Sequence, residues 1–435
     1  MNIRKIVKRI IPRRLFRTIE PYGHLVEAFA FNVASGFPGR GLKVIGVTGT
    51  NGKTSTAFLI HRMLQESGYK TGLMTTVAWG VGDEFKPQIH HYTNVPVPQL
   101  MKRLRYMRRA KVDYLVMEIT SQALAQNRAW GVPFTLAVMT NVTHEHLDYH
   151  GTFERYRDAK RKLFKRTGRN RGGLRAGIVN AEDPSAALFA GDVEYPLLYG
   201  VKKGDLRAEG VKMTPAGSEY TAEHEGDEYR IRCHIPGSFS VYNSLAAVGA
   251  GISLGLKPGQ IEKGIAALKA VQGRMMRVDE GQDFDVIVDY AHTPDSFEKL
   301  FKDMKPVVQG RLIVMFGSAG RRDEAKRAVQ GRLAGKYADE VVLTEEDDRD
   351  VDGLKILGQI AEGAIRAGKT KEKDLFLVHD RTKAIGFALE RAGKGDTVLL
   401  LGKGHEKTIE RADGEHGWDE IAIAREALRS LKKKK

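Results

Sequence analysis

Residues 41 to 56 read Gly-Leu-Lys-Val-Ile-Gly-Val-Thr-Gly-Thr-Asn-Gly-Lys-Thr-Ser-Thr. The apolar first half of this stretch predicts a buried strand, and a helical pattern over residues 57–67 follows its glycine-rich second half. A glycine-rich turn between a strand and a helix lets backbone amides and the helix N-terminus point at phosphate oxygens. The stretch therefore predicts a phosphate-binding loop that joins a strand to a helix.

The residue types of this loop each suit a part of a bound phosphate chain. Gly49 and Gly52 let the backbone wrap, Lys53 supplies positive charge, and the Thr54 hydroxyl can ligate magnesium. The usual spacing of such loops would place a glycine at Val47, so the fit to the general pattern is imperfect. The candidate nucleotide-binding residues of the loop are Gly49, Thr50, Asn51, Gly52, Lys53, Thr54 and Ser55.

Apolar strand-like runs alternate with helical patterns from about residue 42 onward. We expect strands at residues 44–47, 114–118, 136–140, 177–180, 286–289, 312–316, 341–344 and 398–401. This alternation is typical of an α/β protein with a parallel sheet and crossover helices. Between residues 204 and 234 polar and apolar residues alternate, with Gly217 and Gly226 as turns, which indicates an antiparallel excursion on the sheet.

The clearest seam in the chain follows a helical pattern over residues 261–270. We therefore expect a short basic segment over residues 1–40, a P-loop domain with a mostly parallel sheet over 41–270, and a Rossmann-like α/β domain over 271–435. The length of 435 residues accommodates these domains.

The formal net charge of +16 is concentrated at the two ends of the chain. Residues 1–20 carry seven lysines and arginines against one glutamate, and together with the four lysines 432–435 they account for +10. Most of the chain is only mildly basic, which argues against a nucleic-acid partner. A second basic stretch over residues 160–175 could meet a phosphorylated substrate, and a solvated surface is the main alternative for these runs.

The sequence carries few membrane or redox signals. No apolar run approaches the roughly 20 residues that span a bilayer, so we expect no integral membrane segment. Residues 6–11 are basic and apolar and end at Pro12, which predicts a short amphipathic helix that rests on the protein or makes peripheral contact with a membrane. Cys233 is the sole cysteine and cannot form an intrachain disulfide, so we expect a reducing, cytoplasmic location.

Eight motifs follow one another in a fixed order along the chain. They are Gly-Thr-Asn-Gly-Lys-Thr at 49–54, Met-Glu-Ile-Thr-Ser-Gln-Ala-Leu at 117–124, Thr-Asn-Val-Thr-His-Glu-His-Leu-Asp-Tyr-His-Gly at 140–151, Tyr-Arg-Asp-Ala-Lys-Arg-Lys-Leu-Phe at 156–164, Gly-Arg at 273–274, Asp-Tyr-Ala-His-Thr-Pro at 289–294, Phe-Gly-Ser-Ala-Gly-Arg-Arg-Asp at 316–323 and Gly-Lys-Gly-His-Glu at 402–406. This set resembles the Mur ligase family, ATP-dependent enzymes that form amide bonds in bacterial wall synthesis. The resemblance covers about residues 41–430.

The resemblance implies an ATP-dependent ligase that adds a diamino acid to UDP-N-acetylmuramoyl-L-Ala-D-Glu or a related muramyl-peptide acceptor. ATP would phosphorylate the acceptor carboxylate, the amine would attack the acyl phosphate, and phosphate would leave. The domain over residues 41–270 would bind ATP, and the domain over 271–435 would bind the amino acid. The catalytic residues carried over by motif position are Lys53, Glu118, His146, Lys160 and Arg274.

The resemblance also implies Mg²⁺ as a cofactor beside ATP. Thr54, Glu118 and His146 would hold one ion, although two other histidines lie in the same loop as His146. Lys160 falls where the family has a carbamylated lysine, which would be an anionic ligand of a second ion. The basic neighbours of Lys160 leave a plain surface role as the alternative.

Family position assigns further contacts to the two substrates. Asn243 would contact adenine, Arg274 the terminal phosphate and Asp289 the ribose, with a hinge salt bridge as the alternative for Arg274. The substrate-binding candidates are Ser121 and Arg128 for the acceptor and Arg349, Gly402 and Glu406 for the amino acid.

Specificity for the amino acid is expected to depend on residues 346–349. An arginine can hold a carboxylate and a glutamate an ammonium, which suits meso-diaminopimelate. The family stretch for that substrate is Asp-Asn-Pro-Arg, whereas residues 346–349 read Glu-Asp-Asp-Arg. The extra acids could instead favour the free ammonium of lysine or ornithine, so both kinds of substrate are retained.

Three departures from the family pattern concern the acceptor. About 40 residues precede the phosphate loop, where similar family members begin with a UDP-gripping domain of roughly a hundred residues. Asn94-Val95-Pro96 replaces Thr-Thr-Pro, and Ser240 replaces an asparagine. The acceptor could lack UDP, or its nucleotide could be held by the basic N-terminal segment or by a partner.

Three alternative functions remain at this point. A folylpolyglutamate synthase also lacks the front domain, but its loop continues Gly-Lys-Gly-Ser rather than the Gly-Lys-Thr-Ser found here. The others are a pseudomurein peptide ligase and a non-catalytic nucleotide-binding scaffold. Retention of all five catalytic candidates argues against the scaffold.

Overall fold

The computed structural model describes residues 13–88, 93–214 and 216–434. The predicted amphipathic segment over residues 6–11 and the residues Pro12 and Lys435 lie outside this part of the chain. The chain divides into two compact units. The second comprises Lys269–Lys435 with Lys212–Ser218 and Cys233–Ser238, and the first holds the rest of the chain up to Leu268.

Most of one large sheet lies in the first unit. Its strands are β1 (Lys43–Thr48), β2 (Thr71–Met74), β3 (Ala78–Val81), β4 (Glu84–Pro87), β5 (Tyr114–Glu118), β6 (Phe134–Met139), β7 (Ala176–Asn180), β8 (Tyr195–Gly200), β9 (Leu206–Thr214), β10 (Gly217–His224) and β11 (Asp227–Cys233). They lie in the order β11-β10-β9-β8-β7-β6-β1-β5-β2-β3-β4. The strands from β2 through β5, β1, β6 and β7 to β8 pair in parallel. The predicted α/β fold with a mostly parallel sheet is confirmed.

Helices cover this sheet and connect its parallel strands. They are α1 (Arg13–Ala34), α2 (Lys53–Glu66), α3 (Val97–Arg109), α4 (Ser121–Ala125), α5 (Leu147–His150), α6 (Phe153–Arg169), α7 (Ala186–Ala190), α8 (Ser238–Ser253) and α9 (Pro258–Ala267). The helix expected over residues 261–270 begins earlier, at Pro258, and ends at Ala267. It begins there because a proline suits the first helical turn and the Gln260 side chain accepts the Lys257 amide at 3.0 Å. None of the helices in the described part of the chain is long and apolar enough to cross a membrane.

Strand β1 lies in the middle of the sheet and is buried on both faces, with Val44, Ile45 and Val47 fully shielded from solvent. Its register with β5 pairs Val47 with Glu118. Because the carboxyl ends of parallel strands meet at one edge, the residues that follow β1, β5 and β6 come together there. Helix α2 begins at Lys53, earlier than the expected residue 57, so its first turn forms part of the loop.

The antiparallel excursion expected between residues 204 and 234 is formed by β9, β10 and β11. Gly226 lies between β10 and β11 with a φ of 89°, as a turn there requires. Gly217 differs from the expectation, because it begins β10 rather than forming a turn. A Cβ at Gly217 would lie 2.1 Å from the Cys233 carbonyl oxygen, so the close approach of two strands explains this glycine.

The second unit has a six-stranded sheet. Its strands are β12 (Met276–Arg277), β13 (Asp285–Asp289), β14 (Leu312–Phe316), β15 (Glu340–Leu343), β16 (Leu375–Leu377) and β17 (Thr397–Leu401), in the order β12-β13-β17-β14-β15-β16. Its helices are α10 (Pro294–Met304), α11 (Ala325–Tyr337), α12 (Gly353–Arg366), α13 (Arg381–Arg391) and α14 (Glu420–Lys434), and a hairpin is formed by β18 (Thr408–Arg411) and β19 (Gly414–Gly417). All pairings from β13 to β16 are parallel. The Rossmann-like α/β fold expected for this part is confirmed.

Candidate active site

The phosphate loop between β1 and α2 has room only for glycine at two positions. Gly49 has a φ of 153° and Gly52 a φ of 82°. A Cβ at Gly49 would lie 1.8 Å from Thr140 Oγ1, and a Cβ at Gly52 would lie 2.2 Å from Asn243 Oδ1. Backbone conformation and crowding therefore both explain why the sequence has glycine here.

Residues that follow β6 hold the loop in place. The Thr50 amide donates to the Asn141 carbonyl at 2.7 Å, and the Asn51 amide donates to Asn141 Oδ1 at 3.0 Å. Thr140 Oγ1 donates to the Asn51 carbonyl at 2.6 Å. The buried Tyr156 hydroxyl lies 2.9 Å from Thr50 Oγ1. The loop is thus fixed before any ligand is considered, as expected for a preorganised binding site.

Two lysine side chains contact this loop. Lys53 Nζ donates to the Thr50 carbonyl at 2.8 Å, and Lys160 Nζ donates to the Gly49 carbonyl at 2.5 Å. Lys160, on α6, is only 2% exposed, so its alternative role as a surface lysine is wrong. Burial and the nearby charge of Lys53 lower the pKa of the Lys160 ammonium well below its ordinary value.

Glu118 ends β5 and is buried beside the first turn of α2. Its Oε2 accepts hydrogen bonds from Thr54 Oγ1 at 2.9 Å, from the Thr76 amide at 3.1 Å and from Thr76 Oγ1 at 3.0 Å. Its exposed fraction is 2%. All three donors are neutral, and the charge of Glu118 also acts on the nearby Lys160, where it opposes the lowering of that pKa. A carboxylate and a hydroxyl in contact are ligands that Mg²⁺ prefers, so this donor set fits the ion.

The three histidines of the loop after β6 have different surroundings. The His146 side chain is 44% exposed, and its Nε2 lies 3.9 Å from Glu145 Oε2. Its ring lies 6.2 Å from the ring of Tyr156, which links it to the phosphate loop. His150 is instead buried, with its Nε2 3.0 Å from Ser121 Oγ, and His144 stacks on Phe153. His146 is thus placed near the loop, and its metal role stays a prediction.

The remaining nucleotide candidates of the first unit flank the loop. Ser55 is buried in the first turn of α2. Asn243, on α8, is 3% exposed and lies against Gly52. Its Nδ2 atom has no hydrogen-bond partner among the residues that the structure describes. An unsatisfied buried amide next to a phosphate loop is a donor available for a ligand.

The acceptor candidates lie beyond the end of β5. Asn94 Nδ2 donates to the Glu118 carbonyl at 2.8 Å, and Asn94 Oδ1 accepts the Thr120 amide at 2.8 Å. Arg128 Nη1 donates to the Asn94 carbonyl at 2.6 Å. Ser121 begins α4, directly after Thr120. Asn94, a departure from the family pattern, therefore connects the candidate metal ligand Glu118 to Arg128.

In the second unit, Arg274 and Asp289 lie near each other. The Arg274 guanidinium stacks 4.9 Å from the centre of the Tyr290 ring, and its Nε has no hydrogen-bond partner within the described chain. Asp289 accepts the Met275 amide at 2.8 Å and the Ala291 amide at 2.8 Å. Burial raises the pKa of Asp289, and the charge of Arg274 opposes this rise.

The amino-acid candidates surround the buried Lys403. Lys403 Nζ donates to Asp347 Oδ1 at 2.9 Å and to Glu406 Oε2 at 2.7 Å. Arg349 is engaged within the unit, because it pairs with Glu410 and donates to the Gly320 carbonyl at 2.5 Å. Two of the three candidates are thus held by neighbouring charges.

Glu346 lies against the third candidate, Gly402. Gly402 has a φ of 105°, and a Cβ there would lie 2.9 Å from Glu346 Oε2. Glu346 is 7% exposed, and its Oε2 has no hydrogen-bond partner in the part of the chain that the structure describes. A buried carboxylate oxygen with no partner is costly and is an acceptor available for a cationic ligand.

Comparisons with known proteins identify the family of this chain. The sequence model of the Mur ligase middle domain matches residues 47–251, and that of the "Mur ligase, glutamate ligase domain" matches residues 273–404. The UDP-N-acetylmuramyl-tripeptide synthetase of Roseiflexus sp. (strain RS-1) is 41% identical over 91% of this chain and 80% of that protein. The chain belongs to the Mur ligase family. It is an ATP-dependent ligase, as the motifs predicted.

Further Mur ligases agree with this assignment. The UDP-N-acetylmuramoyl-L-alanyl-D-glutamate--2,6-diaminopimelate ligase 1 of Clostridium acetobutylicum is 37% identical over 91% of this chain and 80% of that protein. A solved diaminopimelate ligase of the same kind has a TM-score of 0.68 at 28% identity and covers 90% of this chain and 79% of its own. Folylpolyglutamate synthase of Mycobacterium tuberculosis has a TM-score of 0.71 at 15% identity over 94% of this chain and 95% of its own, a likeness of fold alone.

Sequence reasoning missed several residues that build this Mur ligase site. Thr76 follows β2, which neighbours β5 in the sheet, and it binds the Glu118 carboxylate twice. Asn141 and Tyr156 lie within the quoted motifs but were not singled out, although both bind the phosphate loop. Lys403 was passed over between two candidate residues. The pairing of β2 with β5 would have identified Thr76, because it places the ends of both strands at one edge.

Proposed function

We propose that this Mur ligase adds a diamino acid to UDP-N-acetylmuramoyl-L-Ala-D-Glu, or to a close relative of it, in peptidoglycan synthesis. Relatives whose printed names give this activity match 91% of the chain. The observation that carries the proposal is the phosphate loop with Lys53 and Lys160 on its carbonyls and Glu118 on the hydroxyl of Thr54. The charge of Lys53 and the oxygen ligands Thr54 and Glu118 suit a triphosphate with its metal.

In this reaction the chain would mainly position groups and stabilise charge. The acceptor carboxylate attacks the terminal phosphorus of ATP, ADP leaves, and the resulting acyl phosphate is attacked by the amine with loss of phosphate. Amides of residues 49–54 and the Lys53 ammonium would hold the phosphate chain. We propose that Arg274 and Asp289 also serve the nucleotide, at its terminal phosphate and ribose.

Mg²⁺ is proposed as the metal of this site. Thr54 and Glu118 would hold it, with His146 as a further candidate from family position. When bound, the ion would neutralise phosphate charge during transfer. The lowered pKa of Lys160 favours its neutral amine, which is the form able to take up carbon dioxide as a carbamate. Lys160 is therefore proposed as the carbamylated lysine, and a cytoplasmic location is proposed for the enzyme.

The proposed reaction is tested by phosphate release and mass spectrometry of the product. Release should require ATP, Mg²⁺, the muramyl dipeptide acceptor and a diamino acid together, and omission of any one should abolish it. Acceptors with and without UDP should be compared in the same assay. ATP binding without release under all combinations would contradict the ligase reaction and favour a scaffold. Release with a folate acceptor alone would contradict the wall substrate.

We further propose that the far end of the added amino acid carries an ammonium group without a carboxylate beside it, as in lysine or ornithine. Arg349 is occupied by Glu410, whereas Glu346 offers an unpartnered, buried carboxylate oxygen beside Gly402. Glu346→Gln should lower kcat/KM for the preferred diamino acid about tenfold while the KM for ATP changes little, because a buried charge pair is lost. Steady-state kinetics with lysine, ornithine and meso-diaminopimelate measure this effect.

The exposed Glu362 of α12 provides a matched control, because Glu362→Gln removes the same charge from the same unit at a position where the carboxylate pairs only weakly with Arg366, at 3.8 Å. This control should leave kcat/KM for the diamino acid and the KM for ATP unchanged. Higher kcat/KM for meso-diaminopimelate than for lysine and ornithine, with no effect of Glu346→Gln, would assign the pocket to a substrate with a distal carboxylate instead.

A further inference from the structure

Helix α1 exposes an apolar face to solvent. Tyr22 is 68% exposed, Val26 67%, Phe29 52% and Val33 51%, and these residues recur every three or four positions, so they lie on one side of the helix. We call this side the outer face of α1. The exposed residues of the outer face are Tyr22, Gly23, Val26, Phe29, Ala30, Val33 and Ala34, none of which is charged.

The orientation of α1 is fixed by its opposite side. Ala28 and Asn32 are fully buried, and Asn32 Nδ2 donates to the Ala28 carbonyl at 2.8 Å and to the Trp130 carbonyl at 3.1 Å. The acids of this part of the helix are partly buried, and Glu27 pairs with the buried His24 at 3.2 Å. A surface helix normally has the reverse arrangement, with its apolar side buried and its charged side in water.

Charge indicates what could cover the outer face. Residues 1–17 contain seven lysines and arginines and no acid. Of these, Arg4, Lys5, Lys8 and Arg9 lie outside the described residues. A basic segment next to an uncharged, partly aromatic helix face is the combination that binds the interface of an anionic bilayer. A second copy of the chain would offer the same basic segment and therefore no opposite charge of the kind that an anionic bilayer supplies.

We propose that the outer face of α1 binds the surface of an anionic lipid bilayer, with the basic sequence of residues 1–17 supplying the charge attraction. The apolar side chains of Tyr22, Val26, Phe29 and Val33 would enter the boundary between headgroups and acyl chains. An exposed apolar patch of this kind is unusual for a protein without a partner. The proposal is independent of the proposed function, because it concerns only where the enzyme rests.

Vesicle sedimentation of the full chain tests this proposal. The protein should bind vesicles of phosphatidylglycerol and phosphatidylcholine at least about tenfold more tightly than vesicles of phosphatidylcholine alone, and salt should weaken the binding. The double variant Val26→Glu, Phe29→Glu should lose about tenfold or more of the affinity, since two charges would enter the interface. Leu354→Glu is the matched control, because Leu354 is also 67% exposed but lies on α12.

The Leu354 variant should keep the thermal unfolding temperature of the parent, and the double variant should unfold only slightly lower, because Phe29 is half-exposed but its ring lies 5.5 Å from the ring of Trp130. Equal binding of the parent chain and the double variant to the anionic vesicles would overturn the proposal, as would no binding of the parent. Light scattering measures whether the parent chain forms a dimer. A dimer of the parent chain that the double variant dissociates, without vesicle binding, would assign the outer face to a second copy and also overturn it.

Discussion

Lys53→Ala should lower kcat of the ligase reaction about 10³-fold. The change removes the one charged side chain of residues 49–54, whose positive charge would stabilise the phosphate during its transfer. Lys53 Nζ lies on the Thr50 carbonyl, at the start of α2, where the phosphate chain would be held. The variant loses one partly buried hydrogen bond, so the free energy of unfolding should fall by only about 1 kcal/mol. Phosphate release and a chemical denaturation curve measure the two effects separately.

Two further variants sharpen the Lys53 test. Lys102→Ala removes an exposed lysine from α3 and should leave both activity and stability unchanged. This variant controls for the loss of one positive charge. Lys53→Arg keeps the charge but changes its shape and should retain more activity than Lys53→Ala. Turnover of Lys53→Ala at the parental rate would show that the phosphate chain binds elsewhere.

Glu118→Gln should have opposite effects on activity and on stability. The change keeps the side-chain shape and an acceptor for the Thr54 hydroxyl but removes the negative charge proposed to hold Mg²⁺. We expect kcat to fall about 10²- to 10³-fold and the Mg²⁺ concentration for half-maximal rate to rise. Because a buried carboxylate bonded only by neutral donors is costly, the free enzyme should unfold at the same or a higher temperature.

The control for Glu118→Gln lies at the opposite end of β5. Asp113 precedes β5 and accepts the Lys70 amide at 2.8 Å in an exposed position. Asp113→Asn should leave the Mg²⁺ dependence unchanged. If Glu118→Gln lowered the unfolding temperature strongly and left the Mg²⁺ dependence intact, Glu118 would be a structural residue rather than a metal ligand.

The fold could be predicted from the sequence because its signals are local. The glycines at positions 49 and 52 and the apolar run before them are a short stretch, and each parallel strand is a near-continuous apolar run. The start of α2 could not be placed, because the helical pattern begins only at residue 57 whereas the first turn is defined by the loop. The order of the strands likewise depends on pairings distant in sequence.

The candidate site was predicted as a set of residues but not as a set of contacts. Motif position assigns Glu118 and Lys160 to the metal and Asn243 to adenine; the structure has all three side chains beside the loop, and their roles stay predictions. The bond from Thr76 to Glu118 and the pairing of Arg349 with Glu410 join residues 42 and 61 positions apart. Such pairings depend on side-chain geometry at the sheet edge, for which a single sequence has no local signal.

The most direct test of the central claim is a crystal structure of the chain with Mg²⁺ and a non-hydrolysable ATP analogue. The account predicts that the phosphates contact the amides of residues 49–54, with Lys53 Nζ within about 3 Å of a phosphate oxygen and the metal bound by Thr54 and Glu118. A triphosphate bound away from this loop, with Thr54 and Glu118 still bonded only to each other and to Thr76, would contradict it.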